Sequence, residues 1–423
     1  MFSLGKILVA AAAALMPAVL PAQGLDVTAE WRARTEAAGP ADTLGCDTAG
    51  LAPEPAWPLN VRQRLDRLAA SPMFETSQVG LMVYDLTADS VLYSLNERQR
   101  LRPASTMKLL TAIAAIDRLG GSYLFRTSLR YTGEVNGGTL SGDVYLVGGF
   151  DPHFNSDDMS AFVEAVRDMG VDTIRGRIVA DRSMKDADRY GEGWCWDDDN
   201  PVLSPLLVSK RDRFAERFLS KLRDAGVVVE ADTAAGRVPA EAYEVCTRTH
   251  TLDQVLMPMM KESDNLCAEA MFYQLGASTG AHPATARRSR EVVRQLISKV
   301  GLSPADYRIA DGSGLSLYNY VSAELEVRLL RYAYRNSNVY SHLMPSLPVA
   351  GEDGTLARRM RGTLAAGNVR AKTGSVAAVS SLAGYCTAAN GHVLCFAIIN
   401  QGVRRGSEGR AFQDSVCAAL CRP

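Results

Sequence analysis

The apolar pattern of this chain changes texture near residue 124 and changes back near residue 245, which limits how it can fold. Before the change, Leu59, Val61, Leu65 and Leu68 fall at helical spacing. Val79 to Leu86 and Val91 to Leu95 then read as two strands joined by a short Ala-Asp-Ser turn. Helical spacing returns through Met107, Leu110 and Ala114 to Leu119, where Gly120-Gly121 stops it. Inside the change, Arg126–Val135 alternates, turns at Asn136-Gly137 and returns through Leu140–Val147, a hairpin pattern. Ser156 is positioned to cap a helix carrying Met159, Phe162, Val163, Val166 and Met169, closed by Gly170. Ile174–Ala180 reads as a strand, Tyr190 to Asp197 as a Trp-rich loop, and Phe214, Phe218, Leu219 and Leu222 as an amphipathic helix. A chain that leaves one texture and returns to it predicts a discontinuous larger domain, 59–123 and 246–423. Residues 124–245 form a smaller inserted α+β domain with its own core.

The first 24 residues carry Lys6, an apolar run from Ile7 to Leu20 and the exit Pro21-Ala22-Gln23. That arrangement predicts a signal peptide ending near residue 22, an exported, periplasmic protein and no stable transmembrane anchor. Residues 25–58 mix small, proline and acidic residues and read as a lead-in segment. With 47% hydrophobic and 22% charged residues, the chain can bury a substantial core over two or more domains. A formal net charge of -1 offers no electrostatic footprint for nucleic acid. The five histidines are scattered and no Cys-x-x-Cys occurs, so neither a metal nor another cofactor is expected.

Three short motifs carry chemistry. In Ser105-Thr106-Met107-Lys108 the serine falls in the first turn of a helix and the lysine one turn later, on the same face. A neutral lysine can take the serine proton, and a helix N-terminus favours a developing oxyanion. Ser263-Asp264-Asn265 lies between the helical patterns Leu252–Met260 and Ala268–Leu275, where it presents a hydroxyl and a carboxamide. Lys372-Thr373-Gly374-Ser375 precedes strand-like Val376–Thr387 and Val393–Asn400. Alternation sends Lys372 and Gly374 to one face, and Gly374 leaves room for a substrate backbone there. A fourth match, Gly276-Ala277-Ser278-Thr279-Gly280, has the spacing of an α/β-hydrolase elbow but follows a helix where that elbow needs a strand.

Together, and in this order, Ser-x-x-Lys, Ser-x-Asn and Lys-Thr-Gly are the signature set of active-site serine penicillin-recognising enzymes. The chain resembles the class C low-molecular-mass penicillin-binding proteins, the D-alanyl-D-alanine carboxypeptidase/endopeptidase family. Val147–Pro152, Gly191–Asp198, Ala310–Ser316 and Leu347–Gly354 match that family as well.

The resemblance implies a mixed α/β (α+β) fold, a serine β-lactamase/transpeptidase-like domain with an antiparallel sheet flanked by helices. It also implies catalytic roles for Ser105, Lys108, Ser263, Asn265 and Lys372, with Lys372 and desolvation together lowering the proton affinity of Lys108. Thr373, Gly374 and Ser375 would bind substrate, and Asp151 would face the peptide stem unless it only builds an Asp-Pro turn. The implied partners are peptidoglycan stem peptides, with β-lactams as covalent inhibitors. Longer relatives nest a third domain inside the insertion; here the stretch from Trp196 to Phe214 leaves no room for it.

Other readings are a β-lactamase, a penicillin sensor and a non-catalytic wall-binding protein. No glutamate is placed like the deacylating residue of class A β-lactamases, no transmembrane helices serve a sensor, and no catalytic residue is missing. For the cysteines, a two-residue turn at Asn390-Gly391 would set Cys386 opposite Cys395. A cross-strand bridge and two buried free thiols both fit that arrangement, whereas Cys417 and Cys421 share a helical face and read as core.

Overall fold

The computed structural model describes residues 56–423; the expected signal peptide and most of the lead-in segment lie outside them. Helix α1 (Leu59–Ala69) buries Val61 and Leu65. Strand β1 (Gln78–Asp85) is buried at every position but the first, as befits a strand covered on both faces, and turns into β2 (Ser90–Leu95). A 3-10 turn at Ala104–Thr106 feeds helix α2 (Met107–Leu119). This helix is buried without a break from Met107 to Ile116, so it is a central helix and not one with a single apolar face.

The expected hairpin exists but is divided between two sheets. Strands β3 (Leu124–Tyr131) and β6 (Val144–Val147) pair in one sheet, while its tip, β4 (Glu134–Asn136) and β5 (Thr139–Ser141), belongs to another. Its turn is Gly137-Gly138, one residue beyond the expected position. Both glycines have positive φ, which a type I′ turn demands at both central positions. Helix α3 (Ser156–Asp168) is capped by Asn155 rather than Ser156. The one-residue offset sets Asp158 where it can accept from Asn155 N and close a capping box.

The expected strand Ile174–Ala180 also divides, into β7 (Thr173–Ile174) and β8 (Ile178–Asp181), in different sheets. Gly176 makes that passage: a Cβ there would lie 1.9 Å from Gly142 O. Residues 182–213 then run as loops and turns to α4 (Phe214–Asp224), which buries Phe214, Phe218 and Leu222. Strands β9 (Val228–Val229), β10 (Thr233–Ala235) and β11 (Tyr243–Thr251) follow. Strand β11 runs antiparallel to β3 along its whole length, so the chain leaves this α+β region beside the point where it entered. The region has its own core, including Leu129, Leu146, Phe154, Phe162, Phe214 and Phe218.

Helices α5 (Leu252–Lys261), α6 (Asn265–Ala277), α7 (Ala286–Lys299), α8 (Ala323–Arg335) and α9 (Ser337–Ser346) come next. Ser278 closes α6, its hydroxyl donating to Leu275 O and accepting from Arg118, so the Gly-x-Ser-x-Gly match is a helix end. The segment expected to run as one strand from Val376 to Thr387 divides at Ala377-Ala378. Strand β12 (Arg370–Val376) holds the Lys-Thr-Gly residues and turns back into β13 (Val379–Thr387). With β14 (Val393–Gln401) the sheet order is β12-β13-β14-β1-β2, antiparallel throughout. Helix α10 (Gly406–Cys421) ends the chain. Side chains alternate across this sheet: Met82, Tyr385 and Cys395 join the core containing α2 and α5 to α9, while Leu81, Cys386 and Phe396 join that of α1 and α10.

That alternation settles the cysteine question. The loop after β13 has three residues, Ala389 to Gly391, closed by Ala388 N–H donating to His392 O. Gly391 takes φ 82° there. One extra loop residue slides the register by one, so Cys386 faces Leu394 and Cys395 faces Tyr385. The two thiols point to opposite faces, and all seven cysteines among the described residues are free thiols.

Candidate active site

Pro103 leads into a tight turn in which Ala104 takes φ 49°, a left-handed conformation that strains any residue with a Cβ. Ser105 therefore sits in the 3-10 turn just ahead of α2, not in the helix proper. The turn is held from within by Thr106 Oγ1 donating to Pro103 O at 2.9 Å and from the sheet by Ser381 Oγ donating to the same carbonyl at 2.5 Å.

Lys108, wholly buried, extends its amine to three oxygens: Ser105 Oγ at 3.0 Å, Asn265 Oδ1 at 2.7 Å and Ser313 O at 2.7 Å. Asn265 opens α6, and Asp264 caps that helix by accepting from Cys267 N. Ser263, between α5 and α6, takes φ 63° and receives a hydrogen bond from Lys372 Nζ at 2.9 Å. Lys372 Nζ also donates to Thr373 O at 2.7 Å. Four distant segments thus meet: the Ser105 turn with α2, the α5–α6 connection, edge strand β12 and the loop containing Ser313.

Gly374 corrects one expectation. Lys372 and Gly374 do share a buried face, but on that face the space beside the glycine is filled by the protein itself. A Cβ at 374 would lie 2.1 Å from Ser381 Oγ, 2.7 Å from Pro103 O and 2.9 Å from Ser105 N. The missing side chain lets the strand touch the turn that carries Ser105. Thr373 and Ser375 point the other way, the first half-buried and the second exposed, and Thr373 Oγ1 donates to Thr355 Oγ1 at 2.8 Å.

Asp151 is placed differently from the other residues singled out in the sequence. Its buried carboxylate accepts from His153 N at 2.9 Å, the turn-building arrangement, and pairs with His250 Nδ1 at 2.7 Å. Among the described residues it has no hydrogen bond to Ser105, Lys108, Ser263, Asn265 or Lys372.

Burial pushes the Lys108 amine down to about 8, opposed by the carboxylates of Asp311 and Glu269. Of the two causes expected together, desolvation and Lys372, desolvation lowers the Lys108 amine, and the repulsion between the two amines falls on Lys372. At Lys372 burial and, after it, the Lys108 ammonium push the amine well down. Two amines of reduced basicity beside two hydroxyls can pass a proton from one hydroxyl and return it to a leaving group.

Residues not singled out for chemistry in the sequence hold this arrangement. The two oxygens of Asp311 accept from Gly314 N, Ser316 N, Asn319 Nδ2 and Trp194 Nε1, all between 2.7 and 2.8 Å. Glu269, one turn beyond Asn265 on α6, accepts from Gly312 N and Ser313 N and so aims Ser313 O at Lys108. Burial raises the Glu269 carboxyl to about 8. The stretch Asp311-Gly312-Ser313-Gly314 was visible as a family match, whereas Glu269 lies in a helical pattern that signals only packing. Lys210 binds Asp264 at 2.5 Å and ties the inserted region to the connection that carries Ser263. Among the described residues no group of side chains is placed to hold a metal ion, and no helix is long and apolar enough to cross a membrane.

The profile of the D-Ala-D-Ala carboxypeptidase 3 (S13) family matches residues 61–207 and 206–421. The D-alanyl-D-alanine carboxypeptidase of Actinomadura sp. (strain R39) is 30% identical over an alignment of 458 residues, covering 85% of this chain and 84% of that protein. Penicillin-binding protein 4 of Haemophilus influenzae superposes with a TM-score of 0.76 at 23% identity, over 84% of this chain and 98% of its own. It is also known in complex with a β-lactam. A predatory endopeptidase of Bdellovibrio bacteriovorus acylated by penicillin G superposes with a TM-score of 0.52 at 20% identity, over 80% of this chain and 90% of its own. The chain belongs to the D-Ala-D-Ala carboxypeptidase 3 (S13) family, and with it to the serine-type D-Ala-D-Ala carboxypeptidases.

Proposed function

We propose that this enzyme cleaves D-Ala-D-Ala ends of peptidoglycan stem peptides, and cross-links between them, through an acyl-enzyme on Ser105. The observation that carries the reading is the Lys108 amine 3.0 Å from Ser105 Oγ, anchored on its far side by Asn265 Oδ1 and Ser313 O. Neutral Lys108 takes the Ser105 proton as Oγ attacks the carbonyl between the two D-alanines. The N–H groups of Ser105 and Ser375, on either side of the Gly374 contact, stabilise the oxyanion, a term worth roughly 2.7–4 kcal/mol per donor in other enzymes. Ser263 returns a proton to the departing amine, drawing on Lys372, whose amine it touches. Asn265 Nδ2, which has no hydrogen-bond partner among the described residues, is available to the substrate's peptide group. Lys372 and Thr373 receive the terminal carboxylate, whose charge restores a proton to Lys372. Water then releases the acyl group.

Penicillins acylate the same serine by opening the lactam and leave slowly. Asp151 reaches a stem peptide only if the His250 pair opens. The substrate lies outside the inner membrane, so the reading includes export and cleavage near Ala22, which the mass of the mature N-terminus checks.

The decisive experiment incubates wild type and Ser105→Ala with a fluorescent penicillin, pentapeptide monomers and cross-linked dimers, following all three by mass. Wild type takes up one penicillin and releases D-alanine. Covalent labelling of Ser105→Ala would overturn the assignment.

A further inference from the structure

Behind the Ser105 turn lies a carboxyl group that the chemistry above does not use. Glu326, on α8, is fully buried, and its Oε1 is 2.5 Å from the hydroxyl of Thr106, the residue after the nucleophile. Its other oxygen, Oε2, is buried with no hydrogen-bond partner. The Thr106 hydroxyl also lies 2.9 Å from Pro103 O and 3.4 Å from Ser381 Oγ.

The hydrogens available and the absence of a counter-ion together bear on the state of this group. A hydroxyl has one hydrogen, and the Pro103 carbonyl can only accept. With the Thr106 hydrogen directed to Pro103 O, the short contact to Glu326 needs a hydrogen from the carboxyl. A carboxylate there would leave two acceptors competing for one hydrogen and a buried negative charge without a counter-ion.

No cation is at hand to hold such a charge. Lys108, on α2, is engaged by Ser105, Asn265 and Ser313, and Lys372, on β12, by Ser263 and Thr373. From the sheet, Tyr385 donates to Leu330 O and Cys395 to Val327 O, and burial raises both, so both are neutral. On β1, Tyr84 donates to Asp89. On α8 itself, the buried Glu324 pairs with Arg98 and Arg328. Burial raises the Glu326 carboxyl to about 8, which agrees with the hydrogen count.

We propose that Glu326 is a positioning residue for acyl transfer: as a neutral carboxylic acid it donates to Thr106 Oγ1 and so locks the strained turn that carries Ser105. The relay runs from Glu326 to Thr106 Oγ1 to Pro103 O, the carbonyl that Ser381 also holds. Ionisation of Glu326 reverses the first bond: Thr106 turns its hydrogen to the carboxylate, Pro103 O loses one of its two hydroxyl donors and keeps Ser381 Oγ and the longer Thr106 N–H, and the left-handed Ala104 is freed to relax. This inference rests on Ser105 being the nucleophile.

The test combines Glu326→Gln and Glu326→Leu. Acylation by a fluorescent penicillin is measured from about pH 6 to about pH 10, with infrared difference spectra of the full-length protein. Glu326→Leu should acylate about 10- to 100-fold more slowly, the range expected for a reacting atom displaced by up to an ångström. Glu326→Gln can still donate to Thr106 and should stay within about threefold at neutral pH. Wild type should lose acylation rate on the alkaline side, and Glu326→Gln should lack that loss. The spectrum of wild type minus Glu326→Gln should show the C=O stretch of a protonated carboxylic acid, and the same band should persist in Ser105→Ala.

Absence of the band, or an alkaline loss shared by Glu326→Gln, overturns the proposal even if Glu326→Leu fails to fold. Undiminished acylation by Glu326→Leu overturns it as well. Failure of wild type itself to acylate would count against the Ser105 reading instead, with the infrared band still deciding the state of Glu326.

Discussion

Placing an alanine at position 374 is the sharpest probe of how the sheet supports the nucleophile. The new methyl would sit 2.1 Å from Ser381 Oγ, 2.7 Å from Pro103 O and 2.9 Å from Ser105 N. The hydroxyl can rotate away, at the cost of its bond to Pro103 O. The two backbone atoms have no such freedom. Ordinary contact begins at 3.4 Å, so β12 and the Ser105 turn must part by about 0.5–0.7 Å.

A misplacement of 1 Å costs about 100-fold in rate, or roughly 2.7 kcal/mol. Half to two-thirds of that predicts acylation about 10- to 25-fold slower, with overpacking costing about 1–3 kcal/mol of stability. Stopped-flow acylation by a chromogenic β-lactam and thermal unfolding read the two effects separately. The double variant Gly374→Ala/Ser381→Ala removes only the side-chain clash and should stay slow. Acylation at the wild-type rate in the single variant, or full recovery in the double, would refute the claim that backbone contact sets the geometry.

Other consequences are as direct. In Glu326→Gln, where position 326 cannot ionise, acylation should rise with pH through about 8 as Lys108 becomes neutral, and Lys108→Arg, which cannot deprotonate, should show no measurable rate. The same shift affects stability. The folded-state pKa of Lys108 lies below its unfolded value, so between about 8 and 10.5 the unfolded chain binds more protons. Wild-type stability relative to Lys108→Met should therefore rise across that window, on the order of 3 kcal/mol, and stay flat below it. The Asp151 hydrogen bond raises the His250 pKa, so the pair stabilises the fold fully below the usual histidine pKa and loses that contribution as pH rises through the raised value. Asp151→Asn should accordingly lower the unfolding temperature in mild acid and much less in mild base. Peptide mapping without reduction should recover Cys386 and Cys395 as separate alkylated thiols, and a cross-linked pair would contradict the register of β13 and β14.

How much was legible in the sequence depended on the range of the forces involved. Ser105 and Lys108 are one turn apart, so local geometry brings them together whatever the rest of the chain does. The helices through Phe214 to Leu222 and Leu252 to Met260 follow from apolar spacing, which each segment carries within itself. The motif Lys372-Thr373-Gly374 could be recognised, and alternation placed Lys372 and Gly374 on one face.

What the glycine is for could not be read, because its neighbours Pro103, Ser105 and Ser381 arrive from other parts of the chain. The division of one hairpin between two sheets, and of Thr173–Asp181 between the same two, depends likewise on backbones meeting at Gly142 and Gly176. The cysteine register turned on a single loop residue, below the resolution of any hydrophobic pattern. Glu269 and Glu326 were the least visible of all. A charged residue within a helical pattern reads as solvent-facing, and only packing of α6 and α8 against the Ser105 turn and the Asp311–Ser316 loop buries them. Local spacing therefore named the nucleophile and its base, while long-range packing chose their proton affinities and the groups that hold them still.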